Sequence, residues 1–147
     1  MKKRSVINQT RISFPSFSSN EAFARAAASS FVAQLNPTYD ELSDIKCAIS
    51  EAVTNAIVHG YPDTIGEVTV FAEITDNDVH IVVSDSGIGI DDVNKALEPF
   101  YTTRPNDERS GMGFTIIKTF MDEVKVVSKP NSGTVVDMLK TISKSAV

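Results

Sequence analysis

With 147 residues, 41% of them hydrophobic and 22% charged, the chain has ordinary globular composition and enough length to bury a full core. Its formal charge of −5 supplies no basic stripe to displace counterions from a nucleic-acid backbone, so nucleic-acid binding is not expected and proteins are the expected macromolecular partners. No apolar run is long enough to span a membrane, and Lys2-Lys3-Arg4 is not followed by an export-type apolar region, which predicts a cytoplasmic protein with no membrane role.

Neither repeats nor a linker interrupt the chain, and residues 1–147 read as a single domain. The one cysteine, Cys47, has no partner for an internal disulfide and reads as a structural or inert thiol. A strand is predicted near Arg11 to Phe14, then a helix from about Ser19 to Leu35 rich in alanine. On that helix Arg25 is placed opposite the apolar positions Phe23 and Phe31.

Pro37-Thr38 marks the start of a second helix, Asp40 to His59, whose residues Leu42, Ile45, Ile49, Ala52, Val53, Ala56 and Ile57 recur at the spacing of a buried face. Glu51 and Asn55 lie four residues apart at the border of that stripe, so they can face a cleft together. An amide oxygen is a neutral hard ligand suited to Mg²⁺, and a neighbouring carboxylate can orient or deprotonate a nucleophile. Alone, such a pair is more often a solvated helix edge. His59, just before Gly60, reads as a contributor to the helix C-terminus rather than a catalytic group.

Strands follow near Glu67 to Ile74 and Val79 to Ser84, with His80 a surface or packing residue of the second. Asp85 then lies where a strand passes into a loop bearing Gly87 and Gly89. A carboxylate there can select a ring with an exocyclic amine, while the glycines let backbone approach it; a simple Asp-Ser-Gly turn is the even alternative. From Pro99 to Arg109 no helical or strand period exists, and this loop reads as a lid whose Thr102, Thr103, Arg104 and Arg109 can close over phosphates. Ser110-Gly111-Met112-Gly113 opens a helix predicted over Phe114 to Phe120, leaving N–H groups aimed at an anion. Strands near Glu123 to Ser128 and Thr134 to Leu139 complete the pattern.

The elements predict an α+β two-layer sandwich, one mixed sheet with helices on one face and the other face left for a partner or second subunit. Glu51/Asn55, Asp85/Gly87/Gly89 and Ser110–Gly113 together supply what an ATP–Mg²⁺ site requires. No Walker-type Gly-x-x-x-x-Gly-Lys-Ser/Thr occurs, and neither glycine pair extends into a dinucleotide fingerprint.

In order and residue type these segments resemble the Bergerat-type ATP-binding superfamily of gyrase, the Hsp90 chaperone, histidine kinases and the MutL repair protein. Glu51 to Gly60 is similar to its N box, Asp85 to Gly89 and Ser110 to Gly113 to its glycine boxes, and Gly133-Thr134 to the element that sets a threonine near adenine. Ser50 to Tyr61, Glu108 to Phe114 and Phe120 to Val124 resemble more closely the anti-sigma-F factor family of sporulation, through nearly the whole chain. Departures lie in a longer, more basic Met1 to Asn8 segment, at Arg104 and in the tail after Leu139. The resemblance implies a homodimeric serine kinase that holds a sigma factor inactive and phosphorylates an anti-anti-sigma protein. It further implies Glu51 as base, Asn55 as metal ligand and Arg25, in the first-helix motif Asn20 to Arg25, as a partner contact. A stress-response anti-sigma kinase and a non-catalytic ATP-dependent binding module are the alternatives; the second has no need of Glu51. A histidine-kinase catalytic domain would require an upstream phosphoacceptor hairpin, and a gyrase-like ATPase a transducer domain.

Overall fold

Strict alternation along Glu67–Ile74 resolves into a strand, β2, with Val68, Val70, Ala72 and Ile74 turned inward. Strand β3 (Asp78–Asp85) buries Val79, Ile81 and Val83 in the same layer. The computed structural model describes residues 5–98 and 113–143. Within them β1 spans Asn8–Pro15, β4 Glu123–Ser128 and β5 Thr134–Thr141, and the five strands form one sheet in the order β1-β2-β3-β5-β4.

Every neighbouring pair in this sheet is antiparallel, not mixed as predicted. Two helices connect β1 to β2, so the chain re-enters the sheet running the other way. Strands β3 and β4 are separated because the β4–β5 hairpin inserts β5 between them, pairing Asp85 with Thr134 at one end and Asp78 with Thr141 at the other.

Three longer helices cover one face. α1 runs over Asn20–Val32, α2 over Tyr39–Asn55 and α4 over Gly113–Phe120, with a short α3 at Val93–Ala96. Thr38 caps α2 in a reciprocal capping box: its side chain accepts from the Glu41 N–H (3.1 Å), and the Glu41 carboxylate accepts from the Thr38 N–H (2.9 Å). That carboxylate also takes the N–H and hydroxyl of Ser143 at 2.8 and 2.9 Å, tying the helix start to the chain beyond β5. Ile45, Ala48, Ile49, Ala52 and Val53 form the buried face of α2, which packs on both α1 and α4. Truncating a fully buried residue such as Ile49 to alanine costs about 2–5 kcal/mol.

On α1 the buried stripe is Ala24, Ala28, Ser29 and Val32, and Phe23 is 54% exposed, against the expectation that it marks the apolar face. Small residues let α1 lie close to its neighbours, and the larger ring is left at the rim, edge-on to Phe14 with centroids 6.4 Å apart. Arg25 is half-exposed and pairs with Glu21 at 3.4 Å. Cys47 is exposed on α2. His80 lies on the sheet's outer face, 2.7 Å from Asp137. Among the described residues no helix is long and apolar enough to cross a membrane.

Candidate functional site

The site is built where three chain segments converge on Asp85. β3 ends at this residue, and its carboxylate accepts the N–H of Gly87 at 2.9 Å. Burial pushes the Asp85 carboxyl above the usual aspartate value, and backbone N–H bonds from Gly87 and Thr134 pull in the opposite direction. A buried carboxylate held by neutral donors retains acceptor capacity for a further donor such as an exocyclic amine.

The second segment is the end of the long helix. After Asn55 the winding widens into a π-helical turn over Ala56–Gly60, a departure from α geometry that is frequent at functional sites. Gly60 lies directly against Asp85: a Cβ there would meet the carboxylate at 2.9 Å. The Gly60 carbonyl accepts the Ile88 N–H at 2.9 Å, and a Cβ on Gly87 would come within 1.9 Å of the same carbonyl. Glycine at both positions is what allows helix end and loop to touch.

The third segment is the β4–β5 corner. Gly133 has φ +82°, and a Cβ on it would come 2.0 Å from the Asp85 carbonyl. Next to it Thr134 sits opposite Asp85 in the sheet, its hydroxyl 2.7 Å from that of Ser128. Ser128 in turn accepts the Ile90 N–H at 2.7 Å, and the Asn131 N–H bonds to the Ile88 carbonyl at 2.6 Å, so the loop is fastened on this side too. Gly89, with φ +77°, lies against the Lys129 carbonyl.

Glu51 and Asn55 occupy the last turns of α2, nine and five residues before Gly60, both half-buried. Asn55 Nδ2 is buried with no hydrogen-bond partner among the described residues, which leaves that donor available to a bound ligand or its water shell. His59 lies in the π-helical turn. Gly113 is buried at the start of α4, and α4 packs on α2. Thr102, Thr103, Arg104, Arg109, Ser110, Gly111 and Met112 lie outside the described residues. Arg25, on α1, belongs to none of the three converging segments.

The site residues predicted from the sequence do not include Gly60, Tyr61 or Ser128, although Gly60 and Tyr61 close the stretch from Ser50 that carries the family resemblance. Only Gly60 left a local trace, as a glycine terminating a helix.

The family model of the histidine kinase-like ATPase domain matches residues 15–140. The anti-sigma F factor of Caldanaerobacter subterraneus subsp. tengcongensis is 51% identical over 138 residues, covering 94% of this chain and 96% of the relative. That of Oceanobacillus iheyensis is 51% identical over 139 residues, covering 94% and 95%. Among solved structures, the RsbU and RsbW domains of a Mycobacterium tuberculosis protein superpose with a TM-score of 0.68 at 20% identity, covering 95% of this chain and 33% of that one, a likeness of fold. The chain thus carries an ATP-using, kinase-like domain and belongs to the anti-sigma F factor family.

Proposed function

We propose that this protein, acting as a single domain in the cytoplasm, holds a sporulation sigma factor inactive and uses Mg-ATP to phosphorylate a serine of an anti-anti-sigma protein. The observation that supports the proposal is the packing of Gly60 on Asp85, which sets the end of the helix bearing Glu51 and Asn55 against the loop after β3. The names of relatives about half identical over most of their length supply the sigma-factor partner.

Roles follow from position. Asp85 accepts the adenine amine, and Gly87 and Gly89 clear the way for the ring. Asn55, near the end of α2, would offer its amide oxygen to the metal. A Mg²⁺ held there would supply charge neutralisation for phosphoryl transfer. Glu51 takes the proton of the incoming serine hydroxyl as its oxygen bonds to the γ-phosphorus and the bond to the β-phosphate oxygen breaks, releasing ADP. Arg104, Arg109, Thr102, Thr103 and the Ser110–Gly113 segment hold the phosphates from the lid side. Arg25 contacts protein partners from its exposed place on α1. A homodimer is part of the proposal, and the sheet's outer face, where Val127 and Val135 pair side by side and are exposed, supports it.

The test is to incubate the protein with γ-labelled ATP, Mg²⁺ and the anti-anti-sigma protein, and to pass it over immobilised sigma factor. Label on a serine and ATP-dependent retention of the sigma factor are expected. ATP binding with neither outcome would contradict the proposal.

A further inference from the structure

The residue after Gly60 makes a connection that no role assigned above uses. Tyr61 is buried; its hydroxyl donates to the Glu67 carbonyl and accepts the N–H of Ser86, both at 2.7 Å. Ser86 directly follows Asp85, so this bond fixes the peptide plane from which the Asp85 side chain departs. Adjacent residues therefore hold alternate N–H groups of the same loop: Tyr61 takes that of Ser86 and Gly60 that of Ile88. The ring is located by Gly66, where a Cβ would come 2.1 Å from it.

We infer that Tyr61 is a positioning residue for base recognition, acting through the Ser86 backbone on Asp85 rather than by touching the nucleotide. Three observations converge: both hydrogen-bonding capacities of the hydroxyl are used, a glycine makes room for the ring, and the bonded N–H belongs to the residue next to the base-selecting carboxylate. Tyr61 also follows the helix carrying Glu51 and Asn55, so it couples the register of the base loop to that helix. Removing the hydroxyl leaves the Ser86 N–H and the Glu67 carbonyl without their partner and frees the loop to turn Asp85 away from an amine.

The inference rests on Asp85 being the adenine acceptor, and the experiment separates the two ideas. Adenosine, ATP and GTP are titrated calorimetrically into the full chain, wild type and with Tyr61→Phe, Gly66→Ala, Asp85→Asn or the Tyr61→Phe/Asp85→Asn pair. Tyr61→Phe should weaken adenosine and ATP alike, by about tenfold, and narrow the preference for ATP over GTP by a similar factor. Gly66→Ala, which crowds the ring while keeping the hydroxyl, should narrow the same preference. In the Asp85→Asn background Tyr61→Phe should change affinity by less than about twofold, because its effect passes through the lost carboxylate. If Asp85→Asn weakens adenosine while Tyr61→Phe and Gly66→Ala leave affinity and preference unchanged, or if the paired losses simply add, Tyr61 has no positioning role. If Asp85→Asn itself leaves adenosine affinity unchanged, the base-site assignment falls and the role of Tyr61 falls with it.

Discussion

Gly60 and Asp85 approach so closely that a methyl group on Gly60 would lie 2.9 Å from the carboxylate. The end of the helix bearing Glu51 and Asn55 and the loop after β3 are therefore in contact, and their relative placement depends on the absence of a side chain at Gly60. Gly60→Ala should force them apart, with overpacking of about 1–3 kcal/mol in urea unfolding and a parallel loss of ATP affinity by calorimetry. A variant with wild-type stability and affinity would mean that the contact does not constrain the site.

Asp85→Asn tests the carboxylate itself. Losing a charge-assisted acceptor for the adenine amine should cost about 1.5–3 kcal/mol of binding, or about ten- to a hundredfold in ATP affinity. Undiminished affinity in the folded variant would remove the loop from base recognition.

The pH dependence of stability checks the burial of the same group. Its folded pKa lies above the ordinary value because burial opposes the charge, so its contribution to stability is full below the unfolded pKa and is lost as pH rises through the folded one. Lowering pH from about 7 towards about 4 should therefore shift the stability difference between wild type and Asp85→Asn in favour of wild type. A difference that stays flat over this range contradicts a raised pKa.

If Asn55 is the metal ligand proposed, Asn55→Ala should abolish the tightening of ATP by Mg²⁺ while leaving adenosine binding in place. Arg109→Ala should weaken ATP but spare adenosine. Calorimetry with both ligands, with and without Mg²⁺, distinguishes these outcomes from a general loss of folding, which would lower both affinities together.

Partner contact is tested by charge reversal on α1. Arg25 is half-exposed and away from the Asp85 corner, so Arg25→Glu should release the sigma factor and the anti-anti-sigma protein with ATP affinity intact. The reversal also faces Glu21, whose Oε2 is buried, so the stability of Arg25→Glu is checked by urea unfolding alongside. Retention of both partners would return Arg25 to an ordinary solvated surface.

What could be read in the sequence was local. β2 and β4 fall where alternation predicts them, and the start of α2 where Pro37-Thr38 announces it, because those signals are written in adjacent residues. Asp85, Gly87 and Gly89 were legible as a strand end passing into a glycine loop. The antiparallel order was not, since insertion of β5 between β3 and β4 leaves no mark on either strand's own pattern. Phe23 misled because hydrophobicity ranks an aromatic above alanine, whereas close packing of α1 admits only the smaller residues. Tyr61 and Ser128 escaped for a different reason: their loop partners lie 25 and 38 residues away, and a hydroxyl in a strand or turn carries no sign of such a partner.

Catalysis is the claim with most at stake, and Glu51 carries it. Glutamine keeps the size and the helix but loses the basicity, so binding and chemistry should separate. The decisive measurement is the single-turnover rate of phosphate transfer from labelled ATP to the anti-anti-sigma protein by wild type and Glu51→Gln, with ATP and sigma-factor affinities measured alongside. Transfer at least about a hundredfold slower in Glu51→Gln, with both affinities retained, is the expected result. Near-normal transfer by Glu51→Gln, or none by the ATP-bound wild type, would contradict it.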